Sequence, residues 1–360
     1  MSNAISVLVV DDSTLARRFA SDIIKKDPTL ILAGTAGNGV SAIIKNNELN
    51  PDVIILDIEM PVLDGLSCLK TIMETNPKPV IMLSSLTQHG SEATFKSLEL
   101  GAIDFIPKPS SNTQNEEIAK MIVEKIKSAA GITVKRREKT DENVILNTMP
   151  WSNFKGFPPT INKRATLFLT IGISTGGPAA LNTIFREFPE NFPAAVLVVQ
   201  HMAEGFTKEF AKHLDKNSKL SVKEAEDGDI PSNGCIYIAP GNRHMTLQAE
   251  VGGYTLRINN KDKVSGHRPS IDVLFQSVAK AAAPNIVAVL MTGMGKDGAN
   301  GMKGIYDAGG YTIAQDQTSS IVYGMNRTAI EMNVVKEIVP LEKITKKIVE
   351  YIQGISNYAT

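Results

Sequence analysis

The sequence predicts an α/β protein built from two domains. Its 360 residues are about what two ordinary domains occupy. Short unbroken apolar runs alternate with helix-period segments in both halves, the pattern of strands buried on two faces by helices. The alternation fails over residues 131–164 and then resumes, which places a linker there.

In the first half the apolar runs are "SVLVV", "LILAG", "DVIILD", "PVIMLSS" and "AIDFIPK". Between and after them lie "STLARRFASDIIKK", "VSAIIKNNE", "GLSCLKTIMETN", "SEATFKSLELG" and "NEEIAKMIVEKIKSA", each with helical spacing. Five strands alternating with five helices predict a five-stranded parallel sheet over residues 1–130. Residues 131–164 hold the charged run "KRREKTDEN" and the proline-rich "MPWSNFKGFPPTINKR", where Trp151, Phe154 and Phe157 are candidates to pin the linker to a neighbouring surface. Residues 165–360 return to the strand-helix rhythm. Strands are expected at "TLFLTIG", "AAVLVVQ", "NIVAVLMTG" and "YTIAQ". Helices are expected at "GPAALNTIFREF", "GFTKEFAKHLDK", "SIDVLFQSVAKAA" and "DGANGMKGIYDAGG". The turn-rich "NGCIYIAPGN" and "VGGYTLRIN" predict an antiparallel insertion near residues 235–260 in a doubly wound sheet.

Composition excludes several classes. Apolar residues make up 42%, too many for general disorder. Lys+Arg and Asp+Glu are balanced at 38 each, which gives no reason to expect nucleic acid or an anionic membrane as partner. Cys68 and Cys235 sit in apolar patterns and read as small buried hydrophobes, not a disulfide or metal pair. The opening run "ISVLVV" is too short for a signal peptide and meets Asp11 and Asp12. No run approaches the ~20 apolar residues of a membrane helix. A cytoplasmic protein with no membrane insertion is expected.

Ligands bind parallel sheets beyond the carboxyl ends of the strands. In the first half, Asp11 and Asp12 follow the first strand, Asp57 ends the third, Ser84 ends the fourth and Lys108 follows the fifth. Together they make an acidic cup with a hydroxyl and an ammonium at its rim. Such a cup suits Mg²⁺, an oxygen-seeking cation that keeps several waters. The cation would line up a phosphoryl group for an Asp carboxylate, with Lys108 and Ser84 holding its oxygens. As a bland alternative, "VDDS" is a helix cap at Asp12 or Ser13. On "VLVVDDS", "IILDIEMPVLDG", "VIMLSS" and "FIPKP", residues 5–128 resemble the two-component receiver domains, which are flavodoxin-like. That resemblance implies Asp57 as phosphoacceptor; Mg²⁺ held by Asp12, Asp57 and the Glu59 carbonyl beside Asp11; and Phe105 as the aromatic switch.

In the second half, "GISTG" at 172–176 places Ser174 on a bare turn between a strand and a helix. Such a G-x-S-x-G exposes a nucleophilic serine and aims helix N–H groups at developing negative charge. The same stretch is compatible with a glycine-rich phosphate loop, although it lacks the G-x-x-x-x-G-K-[ST] lysine. A nucleophilic serine needs a base and an orienting acid. Of five histidines only His201 ends an apolar strand, and Asp297 lies past another buried strand in a glycine-rich turn. Asp297 is equally placed to cap the helix that follows it.

The order Ser174, His201, Asp297 is not that of the α/β-hydrolases. "IGISTGGP", "VVQHM", "GFTKEFA", "IYIAPGNRHM", "RPSIDVLF", "LMTGMGKDGA" and "GMNRTAI" make residues 165–354 similar to the catalytic domain of the CheB family of chemotaxis methylesterases. The resemblance implies hydrolysis of glutamate methyl esters, and deamidation of glutamine, on the cytoplasmic helices of methyl-accepting chemoreceptors. It implies Ser174 as nucleophile, His201 as base then acid, and Asp297 as orienting carboxylate, with no cofactor at that site. Backbone N–H groups of Thr175 and Met294 are the oxyanion-hole candidates. A chemotaxis histidine kinase would supply the phosphoryl group, and its transfer to Asp57 would control access to Ser174. The alternative reading is a response regulator that binds receptors without turning them over.

Overall fold

The computed structural model describes residues 4–85, 87–108, 115–132, 134, 156–158 and 163–358. The chain divides into two compact units, Met1–Thr148 and Met149–Thr360.

The first unit runs β1 (Ile5–Val10), α1 (Thr14–Lys26), β2 (Leu30–Ala36), α2 (Gly39–Leu49), β3 (Val53–Asp57), α3 (Gly65–Thr75), β4 (Val80–Ser84), α4 (Gln88–Glu99), β5 (Asp104–Pro107) and α5 (Asn115–Ala129). The five strands pair in parallel in the order β2-β1-β3-β4-β5. Every residue of β3, β4 and β5 is buried, as unbroken apolar runs require. Helix starts obey local chemistry: Ser13, Asn38, Asp64 and Thr87 each accept a backbone N–H of their own first turn. Ser13 therefore caps α1, while Asp11 and Asp12 stay at the sheet edge.

The second unit runs β6 (Phe168–Ile173), α6 (Gly177–Glu187), β7 (Ala195–Gln200), α7 (Phe206–Asn217), β8 (Ser221–Glu224), β9 (Cys235–Ile238), β10 (His244–Glu250), β11 (Gly253–Asn259), α8 (Ile271–Ala282), β12 (Ile286–Leu290), α9 (Ala299–Asp307), β13 (Tyr311–Gln315), α10 (Met325–Glu331), β14 (Glu337–Val339) and α11 (Leu341–Tyr358). Its seven-stranded sheet has the order β14-β13-β12-β6-β7-β9-β8 and is parallel throughout. The chain winds one way from β6 to β7 and the other way through β12, so β6 lies at the point where the winding reverses.

One expectation is corrected. The antiparallel insertion is only the hairpin β10-β11, residues 244–259, because the buried "CIYI" of β9 joins the main sheet in parallel. The edge strands β8 and β14 are short and carry polar residues, so they leave no apolar run in the sequence. At the end of the expected linker, Lys163 O accepts from Asn233 N–H, and Ala165 N–H at the start of the expected second domain donates to Pro231 O, each at 2.9 Å. Within that stretch Phe157 is buried and packs edge-on to Phe192, with ring centroids 6.2 Å apart. Trp151 and Phe154 lie outside the described residues.

Candidate active site

Strands β7, β6 and β12 are neighbours, and their carboxyl ends carry the three candidate residues. Ser174 follows β6, His201 follows β7, and Asp297 lies in the loop beyond β12. His201 Nδ1 is 3.1 Å from Ser174 Oγ, and His201 Nε2 is 2.8 Å from Asp297 Oδ2. An ionised carboxylate only accepts, so Nε2 carries the ring proton and Nδ1 keeps its lone pair toward the serine. This is the reverse of the serine-protease triad, in which Nε2 faces the serine. The His201 and Asp297 side chains are 8% and 1% exposed, so the pair works in a water-poor setting.

The serine turn is held from both sides. The Ser174 N–H donates to Thr292 O at 2.9 Å, and the Gly177 N–H donates to Ser174 O at 2.8 Å. Gly176 has φ +77°, a left-handed conformation that a side chain would strain. Gly293 permits a close approach: a Cβ there would lie 2.7 Å from Ser174 Cβ. The Gly293 loop is tied in turn to the loop after β13, through Gly293 N–H to Val322 O and Met325 N–H to Gly293 O, each 3.0 Å.

Asp297 does not cap the helix that follows it, as one sequence reading allowed. It caps α8 instead. Oδ2 accepts from Ile271 N–H at 2.8 Å, and Oδ1 accepts from the Ser270 hydroxyl at 2.8 Å and Asp272 N–H at 3.1 Å. Burial pushes the Asp297 carboxyl up, yet the His201 contact and these donors more than offset it and hold the group below the usual carboxylate range. His244 is satisfied elsewhere: Nδ1 accepts from Ser270 N–H at 3.2 Å and Nε2 donates to Asp262 O at 3.0 Å. Thr175 is buried, and its N–H donates to no acceptor among the described residues. Met294 is 43% exposed in the Gly293 loop.

Several residues that touch the candidate site were not singled out in the sequence. His267 lies flat on His201, with centroids 3.9 Å apart and planes at 7°. Gln200, Ser270 and Thr292 also contact the triad or its turn. Only Ser270 left a local signal, as a serine heading the helix "SIDVLF".

The first unit holds the acidic cluster where expected. One carboxylate oxygen from each of Asp11, Asp12 and Asp57 lies within 4.8 Å of the others. Lys108 Nζ is 2.7 Å from Asp57 Oδ2 and 3.3 Å from Asp11 Oδ2. Those two buried oxygens accept no hydrogen bond from any other group among the described residues. Burial, joined by the charge of Asp11, pushes the Asp57 carboxyl up to about 6 against the pull of Lys108. A crowded carboxylate cup whose buried oxygens meet only the Lys108 ammonium fits a small hard cation. The Glu59 N–H donates to Asp57 Oδ1 at 3.4 Å. Ser84 departs from expectation: its hydroxyl bonds the Ser85 and Gly90 carbonyls and Thr94 Oγ1, so it is engaged by α4. Phe105 is buried and packs edge-on to Phe95.

Comparison with known proteins matches each half of the chain to a family. The CheB methylesterase family matches residues 169–348, and the response regulator receiver domain matches residues 7–122. A protein-glutamate methylesterase/protein-glutamine glutaminase of Pyrococcus horikoshii is 45% identical over 99% of this chain and 97% of its own length. A protein of the same description from Sulfurimonas denitrificans is 44% identical over 96% of this chain and 97% of its own. The crystal structure of the Thermotoga maritima CheB methylesterase catalytic domain matches with a TM-score of 0.51 and 41% identity, covering 51% of this chain and 98% of that one. The chain belongs to the CheB methylesterase family, as a hydrolase that carries a response regulator receiver domain ahead of its catalytic half.

Proposed function

We propose that this protein hydrolyses glutamate methyl esters, and deamidates glutamine, on the cytoplasmic helices of methyl-accepting chemoreceptors. The observation that carries this reading is the single imidazole bridging Ser174 and Asp297 at 3.1 and 2.8 Å. Ser174 Oγ attacks the ester carbonyl while His201 Nδ1 takes its proton. Asp297 holds Nε2–H and stabilises the imidazolium. Backbone N–H groups of Thr175 and Met294 receive the oxyanion, at about 3 kcal/mol per donor. The carbon–oxygen bond to methoxide breaks as His201 returns the proton, and methanol leaves. Water then hydrolyses the glutamyl-serine ester through the same groups. An amide follows the same path and releases ammonia.

The receiver, residues 1–130, takes a phosphoryl group from a chemotaxis histidine kinase onto Asp57. Mg²⁺, held by Asp12, Asp57 and the Glu59 carbonyl beside Asp11, would neutralise charge on the incoming group. Lys108 pairs with a phosphoryl oxygen, Ser84 turns to meet another, and Phe105 reports the change. Residues 131–164 link the receiver to the catalytic domain, 165–360. Its substrates on the cytoplasmic helices of receptors put its action in the cytoplasm; among the described residues no helix is long and apolar enough to cross a membrane.

Methanol release from a methylated receptor tests the chemistry. Wild type releases it and Ser174→Ala does not; equal release, or none from either, overturns the hydrolase reading in favour of a non-catalytic receptor-binding regulator. The same assay tests control by the receiver. Phosphodonor with Mg²⁺ accelerates wild type but not Asp57→Asn, and a chain starting near residue 160 outpaces the unphosphorylated full chain. Equal rates for those two chains overturn receiver control.

A further inference from the structure

Gln200 ends β7 immediately before the base and is 1% exposed. Its amide nitrogen donates twice, to Ser174 O and to His201 O, both at 3.0 Å. One side chain thus grips the backbone of nucleophile and base together. Its orientation is settled by chemistry: reversing the amide would set Oε1 against two carbonyl oxygens. The oxygen faces the first turn of α6, where a Cβ on Gly177 would lie 1.8 Å from it. It accepts no hydrogen bond among the described residues, and the positive end of α6 is its neighbour.

The consequence follows from peptide geometry. Ser174 C=O and Thr175 N–H belong to one planar trans unit and point in opposite directions. Ser174 O is held by two donors, Gln200 Nε2 at 3.0 Å and Gly177 N–H at 2.8 Å. Holding that oxygen turns the Thr175 N–H away from Gln200, and there it has no acceptor among the described residues. The residue after a nucleophile on this kind of turn is the usual oxyanion donor. We propose that Gln200 is a positioning residue: it aims the Thr175 N–H at the oxyanion and keeps the nucleophile and base strands in register. The proposal rests on the hydrolase reading. A glutamate at position 200 would set a negative oxygen against both carbonyls, and a shorter amide would not span them.

The test uses the full chain with methylated receptor, measuring kcat and KM, together with inhibition by an alkylboronic acid. Boron forms a tetrahedral adduct with a serine oxygen and places an oxygen where the oxyanion develops. Gln200→Met keeps length and removes both donors. It is expected to lower kcat by about 10- to 100-fold, as a small misplacement of reacting groups does, with KM within about two-fold. Boronate inhibition weakens by a similar factor. Unchanged kcat overturns the proposal, and so does a fall in kcat with boronate inhibition intact. Gln200→Asn, which withdraws the donors by one methylene, decides the matter by the same readings if Gln200→Met does not fold. Ser174→Ala is run in parallel. Turnover persisting there overturns the hydrolase reading, whereas wild-type behaviour of the Gln200 variants alone overturns only this proposal.

Discussion

Asp297 and Asp272 exchange helix caps. Asp297 precedes α9 but accepts the N–H groups of Ile271 and Asp272 at the start of α8. Asp272 stands in the first turn of α8 but accepts Gly301 N–H of α9 at 2.7 Å. The exchange locks the two helices together and fixes the Asp297 carboxylate where His201 Nε2 meets it.

Asp297→Asn keeps the shape and removes the charge. It also leaves one end of the side chain unable to accept from α8. By analogy with the same change in a protease triad, kcat falls about 10³- to 10⁴-fold. Steady-state methanol release measures this; a loss under ten-fold would argue against the orienting role.

Asp272 separates cap from charge. Burial and the neighbouring Asp297 raise its carboxyl above the usual range, against the pull of Gly301 N–H. The folded form therefore holds its proton more tightly, and its contribution to stability falls as pH rises through that raised value. Asp272→Asn keeps an acceptor without the charge and costs less than about 1 kcal/mol at pH 7, whereas Asp272→Ala loses the cap and costs about 1–2 kcal/mol. Denaturant unfolding compares the two, and equal losses would contradict the assignment.

Gly293→Ala puts a methyl 2.7 Å from Ser174 Cβ and 2.3 Å from Met325 Cε. The Met325 thioether can swing away, but Ser174 cannot without leaving His201. A loss of kcat of about 100-fold is expected, with little change in melting temperature.

His267 keeps the His201 ring flat by stacking at 3.9 Å. His267→Ala frees that face and lowers kcat about 3- to 10-fold, on the scale of one aromatic contact. His267→Phe restores most of the rate if stacking is the contribution; failure to restore it would assign the role to the ring nitrogens.

In the receiver, Lys127 reaches Asp27 at 2.8 Å and joins α5 to the end of α1. That contact, helped by Thr29, lowers the Asp27 carboxyl to about 2. A depressed carboxyl stabilises the fold above its unfolded value of about 4, and the benefit disappears as pH falls toward the folded value. Asp27→Asn therefore loses about 1 kcal/mol or less at pH 7, since the pair is partly exposed, and the difference closes between about pH 4 and pH 2. Calorimetry of the receiver transition across that range measures it.

The strand runs, the helix starts at Ser13 and Ser270 and the bare turn around Ser174 were all legible in the sequence, because each depends on neighbours along the chain. The strand-end rule also placed Asp57, Lys108 and His201 at sheet edges, since parallel strands share one direction. What the tertiary structure alone decided is which groups meet across that edge. It turned Nδ1 of His201 to the serine, sent Asp297 back to cap α8, laid His267 on the His201 ring and set Gln200 beneath the turn. Those choices rest on contacts between residues as far apart as Thr175 and Thr292, whose side chain reaches the Thr175 carbonyl at 2.9 Å. No periodicity encodes such contacts. They are set when loops from separate strands pack together and most buried donors and acceptors find partners there.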